Sequence, residues 1–179
     1  MMGRTLLLTG RPGIGKTTVI KAVVGHLGER AGGFYTEEIR DQGRRKGFRL
    51  VALDGQAAVM AHVDLRGKGR PQVSRYGVDV GAIERLGVSA LRRAMEEEQV
   101  LVVDEIGKME LFCKPFKDTV LQAVHGQYTM LATAMSRPNP WVDSLKAMPQ
   151  MTTWEVTTEN RDGVAERVLQ WIDADQLDL

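Results

Sequence analysis

The chain has 179 residues with 24 lysines and arginines against 23 aspartates and glutamates, and a net charge of +1 supplies no bulk field of the kind that draws a protein to nucleic acid or an anionic membrane. That length suits one sizeable core, so a single domain over residues 1–179 is expected. Cys113 is the only cysteine, which excludes an internal disulfide and suits a reducing compartment, and His26, His62 and His125 are scattered without cysteine partners, so no zinc site is indicated.

The first predicted element is a short buried strand over residues 5 to 9, built on the apolar run Leu6, Leu7, Leu8. It begins so near the amino terminus that no leader is expected. No apolar stretch reaches spanning length, so the expectation is a cytoplasmic protein with no membrane partner. Gly10, Arg11, Pro12, Gly13, Ile14, Gly15, Lys16 and Thr17 then fit G-x-x-x-x-G-K-[ST], the phosphate-binding loop, and Thr18 continues into the helix that follows. A triphosphate needs many donors converging on a small volume, which a backbone wrapped around the anion provides. Gly10, Gly13 and Gly15 permit that wrapping, and Pro12 preorganises it. The helix predicted over residues 17 to 30 carries Val19, Ile20, Val23, Val24 and Leu27 on one side and points its positive end at the phosphates. Lys16 adds a mobile charge, and Thr17 offers a hydroxyl to Mg²⁺, an ion that prefers oxygen ligands.

Beyond Gly32 and Gly33, residues 34 to 40 and 48 to 53 read as two strands joined by a polar turn, a hairpin in place of a crossover. Arg44, Arg45 and Lys46 at its tip read as a solvated edge guard, with phosphate contact to a nucleic acid as the alternative. A further short strand is predicted over residues 57 to 65. The loop at 66 to 71 holds Arg66, Lys68 and Arg70, either a lid over a bound anion or a plain surface loop. Residues 73 to 78 read as one short strand, and Asp79 caps a helix bearing Ile83, Leu86, Ala90, Leu91, Ala94 and Met95 at helical spacing.

Val100, Leu101, Val102 and Val103 form an unbroken apolar run, as expected of a central parallel strand covered on both faces. It delivers Asp104 and Glu105 at its carboxyl end, where open α/β sheets bind ligands, and so beside the phosphate loop. Asp104 is assigned to Mg²⁺ through a water, and Glu105 to orienting the attacking water and accepting its proton. Ile106 and Gly107 follow, the glycine letting the backbone turn close to the site. Lys108 reaches the nucleotide, neutralises the acid pair, or is an ordinary surface lysine. Met109, Leu111 and Phe112 are expected to fill core space, and Cys113 to be a small buried residue. Lys114 and Pro115 start a helix with Phe116, Val120 and Val124 inward. In the strand predicted at 128 to 134, Thr133 either bonds the γ-phosphate or the attacking water, or is structural. Arg137, in the irregular stretch 136 to 140, either stabilises transferred charge or is simply exposed. A short helix at 141 to 147, a last strand at 152 to 156 and a final helix with Val164, Val168, Trp171 and Ile172 on one face complete the chain. The acidic tail from Asp173 is expected to fray. Asn160 and Arg161, after the last strand, are positions where a base could rest, unless Asn160 caps the helix. The N-K-x-D tetrapeptide of guanine readers is missing, so broad nucleotide use is expected.

Taken together, these stretches resemble the small P-loop nucleoside-triphosphatase family of thermophilic prokaryotic enzymes and the vertebrate cancer-related nucleoside-triphosphatase. The resemblance is carried by Gly-Arg-Pro-Gly-Ile-Gly-Lys-Thr-Thr at 10 to 18, Gly-Gly-Phe-Tyr-Thr-Glu-Glu-Ile-Arg at 32 to 40, Tyr-Gly-Val-Asp at 76 to 79, Val-Asp-Glu-Ile-Gly-Lys-Met-Glu-Leu-Phe at 103 to 112, and Thr-Thr-Glu-Asn-Arg-Asp at 157 to 162. It implies Mg²⁺-dependent hydrolysis of ATP, GTP, CTP, UTP and TTP with little base preference. It also implies an α/β fold of three layers, α/β/α, whose mostly parallel sheet has an additional central strand and a catalytic glutamate, plus an antiparallel hairpin extension. By position, residues 10 to 17 bind phosphates, with Lys16 and Glu105 catalytic, Thr17 and Asp104 at the metal, Gly107 and Lys108 flanking the nucleotide, and Glu37 and Glu38 facing the γ-phosphate. Cys113 stands where a serine is usual, and the departure at 136 to 140 leaves Arg137 open. Two other functions compete with hydrolysis: a kinase with Arg66, Lys68 and Arg70 as its acceptor lid, and an RNA- or partner-regulated switch using Arg44 to Lys46. No obligate protein partner is read.

Overall fold

Leu6, Leu7 and Leu8 lie fully buried in β1 (Arg4–Thr9), and because successive side chains of a strand face opposite sides they serve two cores. Leu6 and Leu8 pack with Ile20 and Val23 of α1 (Lys16–Leu27) and with Val164 and Val168 of α6 (Arg161–Asp173). Leu7 joins the larger core on the other face, with Phe116 of α4 (Lys114–His125) and Leu91 of α3 (Ser89–Glu96). Two helical layers thus enclose the sheet. The coordinates are a computed structural model that describes residues 3–67 and 69–174; Lys68 and the tail beyond Ala174 lie outside them.

Among the described residues the sheet comprises β1, β2 (Ala31–Asp41), β3 (Arg44–Ala52), β4 (Ala57–His62), β5 (Gln72–Val73), β6 (Tyr76–Val78), β7 (Val100–Ile106), β8 (Thr129–Ala134) and β9 (Met151–Glu155), in the order β5-β6-β4-β3-β2-β7-β8-β1-β9. From β2 to β9 every neighbouring pair is parallel, linked by helices as parallel strands require. The expected additional strand is β8, which separates β1 from β7. Leu131 is paired with Leu6 on one side and Val102 on the other.

The antiparallel part is larger than the hairpin expected from the sequence. Beyond the β2–β3 pair it continues through β4, β6 and β5. Residues 73 to 78, read as one strand, fold back on themselves because Ser74 takes a left-handed turn at φ 55°, leaving Val73 opposite Tyr76. The strand expected to reach Leu65 stops at His62, whose Nδ1 accepts the Asp64 N–H and starts a turn of 3-10 helix over Val63–Leu65. Asp79 does cap its helix, accepting the Ala82 N–H at 3.0 Å. That helix runs through α2 (Val80–Ala82), a π turn at Ile83–Val88, and α3. It packs over Phe34 of β2, whose ring lies beside that of Phe116 with centroids 6.1 Å apart. Burying each such ring contributes about 1.5–3 kcal/mol. No helix among the described residues is long and apolar enough to cross a membrane.

Candidate active site

Adjacent carboxyl ends of β1, β8 and β7 bring Gly10, Thr133 and Asp104 to one edge of the sheet. The loop from β1 closes at Gly15, which has φ 115° and lies at the N-cap of α1 without any side-chain cap, so the first-turn N–H groups are left for an anion. Only glycine adopts that dihedral without strain. Ile14 is 3% exposed and anchors the loop in the core beside Leu8, so its contribution to a nucleotide is confined to the backbone. Lys16 is buried, and its ammonium donates to the Gly10 carbonyl at 2.7 Å and the Arg11 carbonyl at 3.4 Å.

Asp104 is the hub. Its Oδ2 accepts the Thr17 hydroxyl at 2.7 Å across 87 positions of sequence, and its Oδ1 accepts the Thr133 hydroxyl at 2.6 Å. Thr133, expected at the γ-phosphate or the attacking water unless structural, lies fully buried under the site and orients the aspartate. Burial pushes the Asp104 carboxyl upward, opposed by the hydrogen bonds from Thr133, Thr17 and the Thr36 backbone and by the charge of Lys16. Glu105 is half-buried; desolvation raises it too, Lys16 counteracts this, and Asp104 adds to it. Thr17 and Asp104 offer oxygens only, a donor set that fits a hard divalent cation.

Gly107 lies close against the acids around it. A Cβ there would lie 2.8 Å from Glu105 Oε1 and 2.9 Å from Glu110 Oε2. Glu110 was not among the residues singled out from the sequence. It is 3% exposed, and burial, reinforced by the charge of Glu105, raises its carboxyl to about 8. A lone acid between Met109 and Leu111 was the available signal. Because the native state holds this proton more tightly than an unfolded chain with the ordinary value of 4.5, stability should fall as pH rises from about 4.5 to about 8. Glu110→Gln should flatten that decline, measured as urea midpoints across the range; an unchanged slope would remove Glu110 as its source.

A cavity of about 680 Å³ follows the loop, lined by Pro12, Gly13, Gly15, Lys16, Thr17 and Thr18 on one side and by Glu37, Glu38, Asp104 and Glu105 on the other. Glu37 is held below the usual carboxylate range by Lys21 and Arg49, and Glu38 by Arg45 and Arg40. Both reach the cavity mouth already bound to two cations each. Ile106 is fully buried in core. Lys108 is exposed and lines a neighbouring cavity in place of this one. Asn160 uses its amide inside the β9–α6 loop, accepting the Thr157 N–H at 2.9 Å and donating to the Glu155 carbonyl at 2.8 Å. Arg161 lies 4.0 Å from Asp162, and neither Asn160 nor Arg161 lines the phosphate cavity. Arg66 and Arg70 do not line it either. Phe112, expected in the core, is 46% exposed, since the 3-10 turn at Glu110–Phe112 directs Glu110 inward at its expense.

A phosphate loop, an acid pair two strands away and a strand between them define a P-loop nucleoside-triphosphatase. The chain belongs to the NTPase family, whose sequence profile matches residues 5–169. It is 40% identical over 164 residues to the nucleoside-triphosphatase THEP1 of Thermotoga petrophila, covering 92% of this chain and 90% of that one. With the THEP1 of Methanocaldococcus jannaschii it shares 34% over 171 residues, covering 93% and 96%. The crystal structure of THEP1 from Aquifex aeolicus superposes with a TM-score of 0.85 at 38% identity, over 93% of this chain and 98% of that one. The solution structure of a human cancer-related nucleoside triphosphatase gives 0.80 at 34%, over 96% and 98%.

Proposed function

We propose that the protein, as one domain, hydrolyses nucleoside 5′-triphosphates to diphosphate and phosphate with Mg²⁺, with low base specificity and in the cytoplasm. The observation that carries this reading is the Thr17–Asp104–Thr133 hydrogen-bonded chain, which ties the acid pair to the phosphate loop. The names of the relatives agree with it. Thr17 and Asp104 would hold Mg²⁺, which when bound would supply charge neutralisation on the phosphates. Backbone N–H groups of residues 10 to 18 grip the polyanion and Lys16 adds its charge. Glu105 orients the attacking water and takes its proton as the water oxygen joins the γ-phosphorus and the nucleoside diphosphate leaves. Low base specificity is supported by Asn160, whose amide is spent within its own loop. A buried lone Cys113 suits a reducing compartment.

The kinase reading gains no support for its acceptor lid, since neither Arg66 nor Arg70 lines the phosphate cavity. The test is phosphate release from ATP, GTP, CTP, UTP and TTP, with and without Mg²⁺. Comparable rates for all five, abolished without the metal, are expected; a rate confined to one base would defeat the low-specificity reading, and no release from any would defeat hydrolysis.

A further inference from the structure

A second cavity, of about 740 Å³, adjoins the phosphate cavity and shares Pro12, Lys16, Thr36, Arg45, Phe48 and Glu105 with it. It runs from that shared wall to the β5–β6 turn and the segment after β8. Such a volume is typical of a small-molecule site. Besides the shared Lys16 and Arg45, three cations line it: Arg75, Lys108 and Arg137. Arg75 donates only to neutral acceptors, the Tyr76 hydroxyl and the Arg45 carbonyl. Lys108 and Arg137 form no ion pair among the described residues and are exposed to the cavity. The acids of the lining are Glu105, on the shared wall, and Glu110, whose burial raises its carboxyl to about 8. Against them stand Lys16, Arg45, Arg75, Lys108 and Arg137, so the wall carries more cations than carboxylates.

The rest of the wall is apolar and polarizable. Met60, Met109 and Met135 face Phe48 and Tyr76, whose rings meet edge to face at 5.3 Å. Thioethers and ring edges of this kind bind flat apolar bodies with little directional demand. Arg45 ties the two cavities together, donating to Tyr76 on this side at 3.0 Å and to Glu38 on the nucleotide side at 2.9 Å.

We propose that this cavity is the binding site of a second small molecule, an anion with a flat apolar body such as an aryl phosphate or aryl carboxylate, seated beside the γ-phosphate position with its charged end on Arg75, Lys108 and Arg137. The placement beside the γ-phosphate rests on the nucleotide reading given above. Charge-assisted hydrogen bonds hold the anionic end, and the methionines and Phe48 cover the ring. Because Lys16 and Glu105 belong to both cavities, an occupant crowds the approach of the attacking water. Hydrolysis then slows without loss of nucleotide affinity.

The test saturates the loop with the Mg²⁺ complex of a non-hydrolysable ATP analogue and titrates phenyl phosphate, benzoate and inorganic phosphate by calorimetry. One aryl anion should bind one-to-one and about tenfold more tightly than inorganic phosphate, the ring supplying the difference. Whether phenyl phosphate or benzoate is favoured identifies the charged group. Arg75→Gln and the cavity-filling Val73→Trp should each weaken that binding about tenfold, while Arg70→Gln should not. Arg75→Gln should hydrolyse ATP at the unmodified rate when no aryl anion is present. During turnover the bound aryl anion should lower kcat and leave KM for ATP unraised. The proposal is overturned by the absence of aryl-anion binding to the analogue-saturated protein, by equal binding in both cavity variants, or by inhibition that disappears as ATP is raised. A lack of ATP hydrolysis in the unmodified protein counts against the hydrolase reading alone, since the titration needs no turnover.

Discussion

Replacing Glu105 with glutamine is expected to lower phosphate release by about 10²–10⁴-fold while Mg²⁺-nucleotide affinity stays within a few-fold, the range associated with losing a positioned general base. The substitution keeps shape and hydrogen-bonding reach and removes only the capacity to accept the water proton. Burial acts in the enzyme's favour, since it raises the Glu105 carboxyl and makes it a stronger base than an exposed glutamate, and Lys16 limits how far it rises. The sign of the pH dependence follows. With Glu105 as the proposed base, hydrolysis requires its unprotonated carboxylate, so turnover should fall as pH drops through that raised value, and in Glu105→Gln this acid limb should vanish along with the rate. Each decade lost corresponds to about 1.4 kcal/mol of barrier. Single-turnover release combined with a fluorescent-nucleotide titration separates the two effects. Turnover equal to that of the unmodified protein would remove Glu105 from the mechanism, and equal losses in rate and affinity would make it a binding group.

The parallel half of the sheet was legible because Leu6 to Leu8 and Val100 to Val103 leave no polar side chain to face water; strands of that kind must be covered on both sides. The phosphate loop and the acid pair came with them, since each follows such a strand directly. Their contact did not need β1 and β7 to be neighbours. β8 intervenes, and Thr133 at its end bridges the gap by donating to Asp104. Nothing local in the stretch around Thr133 distinguishes that role from a strand threonine on the surface. The antiparallel extension was read too small because its last turn uses Ser74 in a left-handed conformation, where a glycine would have announced it. Glu110 escaped notice for a related reason: its burial is decided by how the 3-10 turn after β7 docks, a tertiary event with no periodicity of its own. The second cavity is likewise invisible in the sequence, since its cations come from the β5–β6 turn, the segment after β7 and the segment after β8, and only the folded extension gathers them.

Lys16→Ala is expected to weaken nucleoside triphosphate binding by about 10–100-fold, the cost of one hydrogen bond to a charged group. The loss has two parts. In the proposed mechanism the ammonium is the mobile charge that faces the phosphates, and it also straps the loop through the Gly10 carbonyl at 2.7 Å. Lys16→Met, which keeps the apolar stem, should match alanine in affinity if charge dominates and recover part of it if packing does. A third consequence joins this substitution to the acid pair. Lys16 lowers both Asp104 and Glu105, so removing it leaves desolvation opposed at Asp104 by its hydrogen bonds alone and leaves Glu105 with desolvation and the charge of Asp104, and both carboxyls should hold their protons to higher pH. Whatever turnover remains in Lys16→Ala should therefore lose its activity on the acid side at a higher pH than the unmodified enzyme, even at saturating nucleotide. An acid limb that stays in place would mean that Lys16 acts on the phosphates alone, and unchanged affinity would contradict the assignment of the loop itself.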